Sequence, residues 1–124
     1  MLSSSSPRGL HLQYRVWIAE LNHDINILRI FDDCIAETKQ QQEPAFTHFQ
    51  EKFMQMRQEI DALRHMMHLH KTNLAHDARK AGPAAESMEP LDDHSTVQKR
   101  YERYRADFIQ LMTDFSRQID ALYA

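Results

Sequence analysis

The sequence predicts an all-α protein: an antiparallel three-helix bundle with long helices and a coiled-coil-like core. Two observations carry this prediction. The 124 residues include only two glycines and four prolines, too few for the closely spaced turns of an all-β domain. The apolar residues recur every three or four positions over long stretches, which is the period of a helix and not of a strand. With 42% hydrophobic residues, the chain can also build a core.

The first helix is predicted over residues 10–42, after a flexible tail over residues 1–9. Further isoleucines widen its apolar stripe beyond the two positions per heptad of a simple coiled coil. Pro44 ends this helix, and its fixed φ also suits the first position of the next one. The stripe consists of Tyr14, Trp17, Leu21, Leu28, Phe31 and Ile35.

The second helix is predicted over residues 44–80 and has the most regular repeat in the chain. Gly82 and Pro83 then form a usual helix stop, within an acidic loop predicted over residues 81–93. A third helix is predicted over residues 94–123. Residues 10–124 should therefore form a single helical domain.

The net charge and the cysteine content limit the functions and cellular locations that the sequence suggests. The net charge of −3 gives no electrostatic reason for binding nucleic acid or a membrane surface. The lone cysteine, Cys34, forms no internal disulfide and suits a reducing compartment. The start of the chain lacks the apolar region of a signal peptide, and no run reaches the ~18–20 apolar residues of a membrane span. We expect a cytoplasmic protein that does not enter a membrane.

Polar residues interrupt the apolar stripes and predict a polar core. Asp24 lies in the stripe of the first helix and His70 in that of the second. Counting residues from the two connections places Tyr104 near His70. We expect His70 to bond Tyr104 or Glu20, and Asp24 to reach Arg64, because buried polar groups nearly always find partners. A functional polar pocket is the alternative.

Histidines supply the candidate metal ligands. The antiparallel arrangement brings His11, His76 and His94 to one end of the bundle, beside Asp77. Imidazole and carboxylate are ligands of zinc and similar ions, so this end is a candidate metal-binding or pH-sensitive site.

Other motifs point less clearly to chemistry. Glu20 and His23 have the Glu-x-x-His spacing of di-iron bundles but lie on the flank of the first helix, and the chain holds no second copy. A homodimer would supply one. Around Cys34 the charged neighbours are carboxylates, which disfavour a reactive thiolate. With no phosphate-binding glycine loop either, the sequence predicts neither an enzyme nor a bound cofactor.

One segment of the third helix superficially resembles a nucleic-acid surface. Residues 99–105 interleave cations with Tyr101 and Tyr104. The helical period turns both tyrosines inward, so weak nucleic-acid binding is only an alternative.

Two segments of the chain resemble short uncharacterised helical-bundle proteins of Bacteroidota. They are Trp17-Ile-Ala-Glu-Leu21 and His48-Phe-Gln-Glu-Lys-Phe53, the latter continuing to Ile60-Asp-Ala-Leu-Arg-His65, and residues 17–21 and 48–65 make up about a fifth of the chain. The resemblance implies a bacterial cytosolic setting. It implies no activity and no site residues.

The function that the sequence favours is structural: a bundle that self-associates or docks a partner protein. The wide apolar stripe of the first helix exposes more apolar surface than one bundle core covers. Its candidate interface residues are Ile18, Ile25, Ile27 and Ile30. A homodimer that pairs the first helices is expected. The alternatives are a metal- or pH-responsive bundle and weak nucleic-acid binding by the third helix.

Overall fold

The computed structural model describes residues 6–38, 44–81 and 92–123 of the chain, without the side chains of residues 7, 74–81, 92–93 and 123. These ranges form three long helices and contain no strand: α1 (Pro7–Glu37), α2 (Pro44–Ala81) and α3 (Asp92–Tyr123). The helices pack as an all-α three-helix bundle, which confirms the predicted fold class. No helix among the described residues has the length and apolarity that crossing a membrane requires.

The first helix is displaced toward the N-terminus relative to its prediction. The Ser6 hydroxyl accepts a hydrogen bond from the Gly9 backbone N–H (3.1 Å), and Pro7 occupies the first helical turn. This N-cap starts the helix three residues early, so the predicted tail is wrong at residues 7–9. The helix ends at Glu37, and Thr38 is extended. No large apolar residue follows Ile35 until Phe46, so burial gives the helix no reason to continue to residue 42.

The other two helices lie close to their predicted bounds. The second begins at Pro44 as predicted and ends one residue later than predicted, at Ala81. The third begins at Asp92 rather than at residue 94. Ala81 and residues 92–93 of the predicted acidic loop are therefore helical, and residues 82–91 lie outside the described part of the chain.

Pairs of contacts fix the direction of each helix. Arg57 donates to Asp32 (2.6 Å) and Arg64 to Asn22 (2.9 Å), so α1 and α2 are antiparallel. Tyr101 donates to Glu20 and Tyr104 to Asp24, which shows that α3 runs parallel to α1. The bundle therefore runs up, down and up again.

The predicted apolar stripes meet in one core. Leu28, Phe49, Ile60 and Phe108 are all buried there, which confirms the facing of each helix. The backbones of α1 and α3 do not approach each other as closely as either approaches α2, and aromatic side chains fill the space between them. The other buried hydrophobic residues are Leu10, Tyr14, Ile18, Leu21, Ile35, Phe46, Phe53, Leu63, Met67, Val97, Tyr101, Tyr104, Leu111 and Phe115.

The core has a dry end made of phenylalanine. Phe31, Phe49, Phe53 and Phe115 come from all three helices, and their ring centroids lie 4.8–6.2 Å apart. Rings at such distances and tilts pack favourably beyond the area that they bury. The opposite end of the core contains tyrosine, tryptophan and histidine beside its aliphatic residues.

Candidate functional site

Asp24 is a buried carboxylate held by α3. The residue is 3% exposed, and its Oδ2 accepts hydrogen bonds from the Tyr104 hydroxyl (2.6 Å) and from Arg105 Nη1 (3.0 Å). The predicted bond to Arg64 is wrong: Arg64 donates to Asn22 and Asp61 instead. Asn22 lies on the side of α1 that faces α2, whereas Asp24 lies on the side that faces α3. The buried charge is thus paired and hydrogen-bonded.

Two tyrosines of α3 donate to carboxylates of α1. Tyr101 donates to Glu20 Oε2 (2.6 Å), as Tyr104 does to Asp24. Burial raises the pKa of Tyr104 far above that of an exposed tyrosine, and the bond to Asp24 raises it further. Burial and the bond to Glu20 raise the pKa of Tyr101 in the same way. Both hydroxyls therefore stay protonated and act as hydrogen-bond donors, not as bases.

The Tyr14 hydroxyl joins two histidines at the polar end of the core. It lies 2.7 Å from His94 Nδ1 and 3.2 Å from His70 Nδ1. Trp17 stacks on His94 with ring planes 2° apart, and on Tyr101 at a centroid distance of 4.8 Å. Three helices thus contribute to one polar and aromatic cluster.

The predicted partners of His70 are wrong because the predicted register of α3 is wrong. His94 occupies the level beside His70 that the sequence assigned to Tyr104, and Tyr104 lies about 15 Å further along at ~1.5 Å per residue. The prediction assumed that α3 begins level with the end of α2. In the structure α2 continues from His70 to Ala81, so about 16 Å of it lies beyond the level of His94.

The candidate metal ligands do not form a metal site in the described part of the chain. No group of three or more His, Cys, Asp or Glu side chains converges there. His94 is buried against Tyr14. Burial lowers the pKa of His94, and the nearby charge of His70 lowers it further. Burial also lowers the pKa of His11, and the nearby cations of Lys71 and Arg15 lower it further. The side chains of His76 and Asp77 lie outside the description.

The polar cluster is internally satisfied. Every buried side-chain nitrogen and oxygen among the described residues has a hydrogen-bond partner. Such a network fits a role in fixing helix register, which buried polar residues are known to perform. It presents no unpartnered group to a substrate in the described residues.

Two of the four cations in the basic segment of α3 are held by contacts within the chain. Arg100 forms a two-pronged bond to Glu59 (2.7 Å for each contact), and Arg105 binds Asp24. Tyr101 and Tyr104 are buried, 4% and 2% exposed, so neither offers a ring for base stacking.

The four predicted interface isoleucines differ in accessibility. Ile18 is buried in the core, where no second molecule reaches it without opening the bundle. Ile25 and Ile27 are partly buried and pack against the core. Ile30 is 57% exposed.

The structure shows a mostly exposed and mostly apolar row on α1, of which the sequence predicted only Ile27 and Ile30 as interface residues. Leu12 and Val16 are 46% and 38% exposed and share a side of α1 with Ile30, facing away from α2. We call the whole row the outer seam. It consists of Leu12, Val16, Ala19, His23, Ile27, Ile30 and Cys34. Its members follow one another at steps of three and four residues, so the sequence does indicate a second stripe, but the core stripe beside it is more strongly apolar.

A surface depression lies at the middle of the outer seam. It is lined by Val16, Ala19, Glu20, His23 and Asp24 of α1 and by Arg105 of α3. The depression therefore borders the buried carboxylate network.

No protein-family model, curated protein or solved structure was found to match this chain. The resemblance to helical proteins of Bacteroidota stays a prediction.

Proposed function

We propose that this protein is a non-enzymatic interaction protein that pairs with a second copy of itself through the outer seam of α1, in a reducing cytoplasmic setting. The observation that carries the proposal is the uneven distribution of exposed hydrophobic side chains. The described residues expose six large ones. Three of them lie on the outer seam, and Ile109 lies on the neighbouring edge of α3, one turn after Arg105. Only Met54 and Leu69 lie elsewhere, on α2.

The spacing of the outer seam is that of a coiled-coil contact. Successive members are three or four residues apart from Leu12 to Cys34, a length of about 33 Å at ~1.5 Å per residue. α1 already buries one apolar stripe against α2 and α3. A second stripe on the same helix favours a further helix as partner, because an isolated exposed stripe has no role in the core.

The pattern of the outer seam favours an antiparallel copy of α1 as that helix. The seam is symmetric about His23, so an antiparallel pair places Val16 opposite Ile30 of the second copy and Ala19 opposite Ile27. Leu12 then faces Cys34 at each end. A two-fold axis requires a surface that complements itself in this way. Binding of an unrelated helix would not require the seam to be symmetric.

Charge complementarity supports the same orientation. Beside the outer seam, Arg15 is exposed on the N-terminal half of α1, and Asp33 and Glu37 are exposed on the C-terminal half. Antiparallel pairing brings the cation of each copy toward the anions of the other, whereas parallel pairing would bring like charges together. Flanking charges of this kind set orientation in coiled coils.

Sedimentation velocity at micromolar concentration tests self-association. We expect the wild-type chain to dimerise and the Ile30→Glu variant to be a monomer with unchanged helicity, since Ile30 is exposed in the single chain. Leu69→Glu is the matched control, because Leu69 is similarly exposed but lies on α2; it should remain a dimer. A monomeric wild type, or an unchanged dimer in Ile30→Glu, would contradict the proposal.

Cross-linking reports the orientation in the same experiment. A Leu12→Cys variant should form a covalent dimer on mild oxidation, through Cys34 of the other copy. The wild type should not, because antiparallel pairing holds the two Cys34 thiols at opposite ends of the seam. Leu69→Cys is again the control. A covalent wild-type dimer would indicate parallel pairing.

A further inference from the structure

We propose that the centre of this dimer binds one zinc ion through His23 and Glu20 of both copies. The inference rests on the proposed function, because each chain supplies only two of the four ligands. The described residues of one chain hold no cluster of three or more metal-ligating side chains, so the site is incomplete without the second copy. Imidazole nitrogen and carboxylate oxygen are both zinc ligands, and four ligands complete a tetrahedral shell.

The position of His23 brings the ligands together. Since the outer seam is symmetric about His23, the two-fold axis passes beside this residue and places the two imidazoles next to each other. Glu20 lies three residues earlier, so both side chains lie on neighbouring positions of one helix face. Both line the depression at the middle of the seam, which leaves room for an ion.

The surroundings of Glu20 suit a ligand. The Tyr101 hydroxyl holds Glu20 Oε2 at 2.6 Å, which orients the carboxylate and leaves Oε1 to bind a metal. Ligating carboxylates are commonly held in this way by a neighbouring donor. Helix α3 thus positions a ligand that belongs to α1.

The charge at the centre matches a divalent cation. Arg105 offsets the carboxylate of Asp24 within each copy (3.0 Å), so Glu20 supplies the remaining negative charge in the depression. Two copies bring two such charges. Without a metal, these carboxylates would face each other across the two-fold axis and weaken the pairing.

Zinc-dependent dimerisation of the untagged chain tests the inference. At a free zinc concentration about 100 times the Kd of the site, the association constant of the dimer should rise about 100-fold relative to EDTA. The stoichiometry should be one zinc per two chains. His23→Ala should abolish the zinc effect and Glu20→Gln should weaken it, whereas His65→Ala, an exposed histidine on α2, should leave it intact.

The outcomes separate this inference from the proposed function. A dimer that forms without responding to zinc, or a response that persists in His23→Ala, overturns the zinc site alone. A chain that is monomeric with and without zinc overturns both proposals. A dimer that forms in EDTA and becomes tighter with zinc only when His23 is present supports both.

Discussion

The two ends of the core are both filled by large aromatic side chains, but these side chains differ in their chemistry. At the dry end, Phe31, Phe49, Phe53 and Phe115 contact one another through rings alone. At the polar end, the buried tyrosines also carry hydroxyl groups, and each hydroxyl is bonded to another helix: Tyr14 to His70 and His94, Tyr101 to Glu20, and Tyr104 to Asp24. Apolar contacts tolerate small shifts along a helix axis, whereas these bonds do not. We infer that the dry end supplies more of the stability and the polar end fixes the register of α3.

The largest effect should come from the dry end. Phe53→Ala removes a fully buried ring that contacts Phe31 and Phe115, and it should lower the free energy of unfolding by about 3–5 kcal/mol through lost burial and a cavity. Urea unfolding followed by circular dichroism measures this change. His65→Ala, on the exposed face of α2, should stay within about 0.5 kcal/mol of the wild type. Equal effects of the two substitutions would contradict the assigned facing of α2.

A smaller effect is expected from one hydroxyl of the polar end. Tyr104→Phe keeps the ring but leaves the buried Asp24 with Arg105 as its remaining donor among the described contacts, which should cost about 1.5–3 kcal/mol. Tyr101→Phe is the matched control, because Glu20 is less buried, and it should cost about 0.5–1.5 kcal/mol in the same unfolding assay. If neither substitution changes stability, the polar end does not contribute in the way that we infer.

The smallest effect is a pH dependence confined to the polar end. The pKa of His94 is lowered in the fold, so below the ordinary histidine pKa of about 6.5 the unfolded chain binds a proton that the folded chain does not. Stability should therefore be full above that pH and fall as the pH drops through it. The pKa of His11 is lowered too and acts in the same direction.

Thermal melts between pH 7.5 and 5.5 measure this dependence. His94→Gln should make the loss of stability on acidification shallower, since the residue no longer titrates. His65→Gln, with an exposed histidine, is the control and should follow the wild type. A His94→Gln variant as acid-sensitive as the wild type would assign the effect to other groups.

The apolar pattern predicted the fold class, the start of α2 and the face of each helix that points to the core, because the spacing of apolar residues directly reflects which positions are buried. Phe49 and Phe108 are buried as that spacing requires. The partners of Asp24 and His70 could not be read in the same way. They depend on the level at which α3 begins, and the length of a connection does not determine that level.

Part of what was missed had a local signal. Ser6 followed by Pro7 is a usual N-cap and first-turn pair, and it could have placed the start of α1 correctly. The outer seam also has a regular spacing, but spacing alone does not show which residues beside the core stripe the neighbouring helices cover. Ile18 was therefore assigned to an interface although it packs inside the bundle.

The parallel course of α1 and α3 has an electrostatic consequence. Each helix carries a macrodipole with a positive N-terminal end, and parallel neighbours place ends of like sign side by side. Only α2 opposes the other two. An antiparallel α1 from a second copy, seated along α1 and near α3, would add a second opposing dipole and give four helices of alternating polarity. Such dipole interactions are weak, so they would bias the direction in which a docking helix runs more than the strength with which it binds.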